Sequence, residues 1–94
     1  MLLGNLKTLV QSIITVTDAT TLTLSDFYVI VMGAASYTLT LPTNAPVGKV
    51  YSIKCRNANK LTSVAYMQGS NLTNLLSVGM VIYIVWDGTN WQQF

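Results

Sequence analysis

Asp18 and Asp26 are the closest this chain comes to an acid/base pair, and their chemistry is limited by what is missing around them. The 94 residues include no histidine, no glutamate and one cysteine. General acid and base work needs a third group to orient or activate the pair. Each Asp stands at a strand edge among Ser, Thr and Ala, where such side chains bond their own backbone in turns. Cys55, being alone, forms no intrachain disulfide, and without histidines it forms no zinc site, so it reads as a buried thiol. No phosphate-cradling glycine loop and no metal-ligand cluster is present. These residues predict a protein that is not an enzyme and carries neither metal nor cofactor.

Aromatic and basic side chains remain. In VWDGTNWQQF (85–94), Trp86 and Trp91 bracket the turn Asp87, Gly88, Thr89 and Asn90. A four-residue connection sets the two indoles opposite each other; a tight turn on Asp87 and Gly88 alone sets Trp91 opposite Ile84. With Tyr66 and the polar Asn90, the indoles form a candidate stacking platform for a glycan. The competing reading is that they fill the core, since two exposed tryptophans on so charge-poor a protein invite aggregation. Four of the five basic residues, Lys49, Lys54, Arg56 and Lys60, fall within a short stretch. That is either an anion or nucleic-acid patch or an edge strand and loop kept soluble, and a net charge of only +2 favours the second. Asn71, Leu72 and Thr73 match an N-glycosylation acceptor, a motif that also arises by chance.

The elements that must position these residues are read from periodicity. Leu2, Leu6, Leu9 and Ile13 recur at helical spacing, predicting a short amino-terminal helix over residues 1–13 that docks on the domain, a sister helix or a larger assembly, with a first strand of frayed start as the alternative. From residue 14 the period changes to two. Ile14 and Val16, then Leu22 and Leu24, predict two short strands joined by a turn at Asp18 and Ala19. FYVIVMG is a more buried strand stopped by Gly33. SYTLTLP puts Tyr37, Leu39 and Leu41 on one face. PTNAPVGK is the densest turn signal. KVYSIKCR sends Tyr51, Ile53 and Cys55 inward, and LTSVAYMQ is a further strand. GSNLTNLLSVG reads as a loop with a short ladder inside it, and MVIYIVW with WQQF closes as a hairpin. Strands every eight to twelve residues predict an all-β domain over residues 14–94, a small antiparallel β-sandwich or barrel.

Composition adds a constraint on assembly. Apolar residues make up 51% of the chain and charged residues 9%, against roughly 25% charged in an average soluble protein. A domain of this size buries only about 60–65% of its surface alone. The longest apolar run, residues 75–86, is too short and too β-branched for a membrane span. Oligomerisation is the reading that accounts for the surplus.

AASYTLTLPTNAPVGKVYSIK (34–54), followed by VWDGTNWQQF, resembles a β-module of bacteriophage virion proteins: tail fibres, tailspikes and head fibres. In that module a T-L-T-L-P segment leads through a Pro/Gly loop into V-G-K-x-Y-x-I-K, and the closing hairpin reads D-G-T-N-W. The resemblance covers roughly residues 15–94. It implies a parallel homotrimer located on the virion, with Gly48 freeing the backbone, Gly88 the turn and Trp91 plugging the core. Other virion proteins would be contacted through residues 1–13, and a host-surface glycan is an implied additional partner; no nucleic acid is expected. Two features depart from the module: the chain is far shorter than most fibres, and Trp86 stands where a small polar residue is usual. A free-standing carbohydrate-binding module is the alternative, and a nucleic-acid barrel using Lys49 to Lys60 is a third.

Overall fold

A computed structural model describes residues 10–94. Nine strands account for its regular structure: β1 (Ile13–Val16), β2 (Thr20–Thr21), β3 (Tyr28–Val31), β4 (Thr38–Thr40), β5 (Val50–Cys55), β6 (Lys60–Gln68), β7 (Asn71–Leu76), β8 (Val81–Trp86) and β9 (Trp91–Gln93). The fold is all-β.

The chain winds. β1, β3 and β5 stack as one parallel ladder, with Ile13 beside Tyr28 and Tyr28 beside Ser52. β2, β4 and β6 stack as a second, with Thr20 beside Leu39 and Leu39 beside Thr62. Each circuit lays an odd strand on the first wall and an even strand on the second, so the amino-terminal part is solenoid-like. The carboxy-terminal strands close it. β8 runs antiparallel to β5, and β9 pairs antiparallel with β8 and parallel with β6, which joins the walls. β7 folds back on β6 through the Gly69 turn.

This corrects the expectation of an antiparallel sandwich or barrel. β1 and β2 do not pair as a hairpin; each finds its partner a full circuit later. The second expected strand is also cut short: Leu22 is buried, but Leu24 turns out to solvent, 50% exposed, in a bend between β2 and β3 that Asp26 caps by accepting from the Thr23 N–H at 2.7 Å. The helix expected over residues 1–13 is not found where it can be judged. Leu2, Leu6 and Leu9 lie outside the described residues, Val10 to Ser12 are irregular, and Ile13 opens β1. The run Ile13, Ile14, Thr15, Val16 is β-branched throughout, which favours a strand over a helix.

The core lies between the walls. Val29, Val31, Tyr51, Ile53, Cys55, Ile82 and Ile84 come from the first, Leu39, Tyr66 and Leu76 from the second, and Trp91 from the closing strand. Fully burying an aliphatic side chain of this size contributes about 1.5–3 kcal/mol, so the alternating inward positions fix each strand's face. The expected inward sets Tyr37/Leu39/Leu41 and Tyr51/Ile53/Cys55 are in place, with Tyr37 only partly covered. At the corner after β3, Gly33 has φ +101°, and a Cβ there would meet the Thr17 carbonyl oxygen at 2.8 Å. Successive circuits touch backbone to backbone at this point.

Candidate functional site: the cleft at the closing hairpin

The β8–β9 turn is built by one carboxylate. Asp87 Oδ1 accepts the N–H groups of Thr89 and Asn90, each at 2.7 Å, and Oδ2 accepts from Gln92 Nε2 at 2.8 Å. These bonds, that from the Asn90 amide foremost, hold the Asp87 carboxyl below its ordinary pKa. Asp87 N–H donates back to the Asn90 carbonyl, and Gly88 takes φ +101°. The connection therefore has four residues, and Trp86 stands opposite Trp91.

Both indoles face inward. Their centroids lie 5.3 Å apart, and Trp91 lies 5.2 Å from the Tyr51 ring. Trp91 is fully buried, and its Nε1–H donates to the Pro42 carbonyl at 2.9 Å. Trp86 keeps 7% of its surface exposed. Tyr66 is also fully buried, its hydroxyl donating to the Leu75 carbonyl at 2.7 Å. None of the three offers an open ring face.

A cleft of about 270 Å³ nevertheless opens at this hairpin. Val64, Ala65 and Leu72 line it with the two indoles, and Thr43, Thr89 and Asn90 supply its polar groups. Of the sequence-predicted platform, Trp86, Trp91 and Asn90 come together here, whereas Tyr66 lies outside the lining. No ionisable side chain lines the cleft. The contribution of β6 and β7 was not foreseen, because Leu72 belongs to a segment whose composition reads as loop.

The basic stretch does not form one surface. Lys60 is fully buried: its Nζ donates to the carbonyls of Gly33 and Ala58, each at 2.8 Å, and lies 5.1 Å from the Tyr37 ring centroid. It ties the corner after β3 to the corner after β5. Lys49 Nζ donates to the Asp26 carbonyl and lies 4.6 Å from the Tyr51 ring, and burial lowers its pKa. Lys54 and Arg56 alone face solvent. The available signal for Lys60 was its even-numbered parity with Thr62 and Tyr66, which both point inward. Cys55 is a buried free thiol, 1% exposed, its pKa raised by burial. Among the described residues no group of three or more His, Cys, Asp or Glu gathers, and no helix is long and apolar enough to cross a membrane.

Compared with family models, curated proteins and solved structures, the chain matches none.

Proposed function

We propose that this chain is a non-enzymatic structural protein of a bacteriophage particle, a β-domain that assembles as a parallel homotrimer and decorates or tips the virion. The observation that carries the reading is the outer surface. Ile13, Tyr28, Val81, Tyr83 and Phe94 are between 44% and 82% exposed on a protein with so few charges to keep such surface in water. The stretches that resemble the phage module also fall on defined elements: TLTLP on β4 and its exit, VGKVYSIK on β5 and the turn before it, DGTNW on the closing turn and β9. Light scattering after size exclusion tests the assembly, with three times the 10.3 kDa protomer mass as the expected result. Antibody labelling of purified particles tests the location. Protein found only free in the lysate would defeat the virion assignment. Deleting residues 1–9, which leaves β1 intact, tests docking: particles should lose the protein.

A second duty, binding a neutral glycan, rests on the cleft. The Asn90 side-chain amide makes no hydrogen bond to any described residue, and Thr43 and Thr89 hydroxyls are likewise unengaged beside an apolar floor. Asn90→Ala should weaken saccharide binding in an NMR titration without changing the fold. An equal response in both proteins would remove the cleft from consideration.

A further inference from the structure

We infer that the outer face of β1, β3, β5 and β8 is the surface through which copies of this chain meet. The inference rests on the assembly reading above and names the face.

Two rows of side chains cross this wall on the outside. The first runs Ile13, Tyr28, Ser52, Tyr83, each beside the next by strand register. Phe94 extends it, since its N–H donates to the Tyr83 carbonyl. The second row is Thr15, Ile30, Lys54, Val81. Ser52 is the low point of the first row. Phe27 lies edge-on to both flanking rings, 4.6 Å from Tyr28 and 6.4 Å from Tyr83, so the wall carries a three-ring aromatic cluster. The second wall differs in kind: its exposed apolar side chains are the leucines Leu61, Leu72 and Leu75, set among Thr38, Thr40 and Ser63, and it exposes no aromatic ring among the described residues.

Three observations point to a second copy as the occupant. A surface that meets itself about a symmetry axis brings like charges together, and the side chains of these rows carry one charge, Lys54, and no acidic group. A charged partner, by the same token, finds little to recognise. Four strands about 4.8 Å apart and four to six residues long give a footprint of about 250–380 Å², a third to a half of the ~800 Å² per partner of a stable interface. The chain outside the described residues joins at the head of the first row: residues 1–9 lead through Val10, 79% exposed, to Ile13. Nine residues reach at most about 30 Å, long enough for Leu2, Leu6 and Leu9 of one copy to add contact area with another.

The test uses the full chain. Sedimentation of wild type, of Tyr28→Glu/Tyr83→Glu, and of Thr38→Glu on the second wall is compared at matched concentrations, with circular dichroism melts as the fold check. The inference expects the double variant to stay folded and fall to the protomer mass, with association at least tenfold weaker, while Thr38→Glu assembles as wild type. A double variant that still assembles overturns the face and leaves the assembly reading standing. A wild type that stays a single copy at millimolar concentration overturns both. Should the double variant unfold, Ser52→Cys decides: with Cys55 buried, a short bismaleimide links copies through Ser52→Cys if the faces meet and leaves single chains if they do not.

Discussion

Trp91 occupies the position where the two readings of the closing hairpin diverge, and its surroundings are those of a core residue. Replacing it with alanine removes packing against Trp86 and Tyr51 and leaves the Pro42 carbonyl without its donor; the expected loss is about 3–5 kcal/mol in denaturant unfolding. A platform residue would instead cost binding and spare stability. Lys60 is a second residue whose type misleads. Its ammonium joins two corners through carbonyls and a ring face, so Lys60→Ala should cost about 1–3 kcal/mol for the carbonyls left unpaired, seen as a lowered Tm. Tyr51 sets a pH limit. Burial, and secondarily the Asp26 charge, push its hydroxyl up to about 12, whereas an unfolded tyrosine ionises near 10. The folded chain thus holds a proton that the unfolded one releases. This contribution is whole below about pH 10 and is lost as pH rises toward 12. The part of the tyrosinate absorbance that Tyr51→Phe removes should therefore rise together with the loss of circular dichroism in the unaltered chain; ionisation of Tyr51 ahead of unfolding would contradict the burial described above.

Gly33 is where an element's geometry is decided by a single backbone position. Gly33→Ala puts a methyl group against the Thr17 carbonyl at a φ that L-residues avoid, and should destabilise by about 1–3 kcal/mol, readable as a shifted denaturant midpoint. Gly79→Ala has φ +86° but open space around it, so it should cost less. The strands themselves were legible, β3 and β8 as apolar runs and β4 and β5 from alternation, and the inward faces of β4 and β5 lie where period two puts them. Their partners were not. A hairpin announces itself through its turn, as Asp87 and Gly88 do, but a parallel ladder joins residues a circuit apart and leaves no local mark. β7 was only half visible because Leu72 and Leu75 both face outward, at 62% and 41% exposure, so its pattern resembles a loop with scattered leucines. The cleft was legible in its hairpin half and hidden in its β6–β7 half for the same reason.

At the scale of the molecule, the exposed aromatic rings Tyr28, Tyr83 and Phe94 gather on one wall, while the other wall's exposed apolar side chains, Leu61, Leu72 and Leu75, are leucines set among Thr38, Thr40 and Ser63. If copies cover the aromatic wall, the melting temperature rises with protein concentration by mass action; a concentration-independent Tm across a hundredfold range would argue for a solitary chain.

The order of pairing also governs how the protein is made. Only β6 with β7 and β8 with β9 pair across short turns, and both lie late in the chain. A nascent chain leaves the ribosome amino end first, so β1 to β4 emerge before the strands that close the walls exist. Non-local pairing is slow because the chain must surrender its freedom before contacts compensate. The first half can pair within itself, β1 on β3 and β2 on β4, but its apolar inner faces stay open until β8 and β9, which close the walls, have been made, and that interval is the domain's most vulnerable moment.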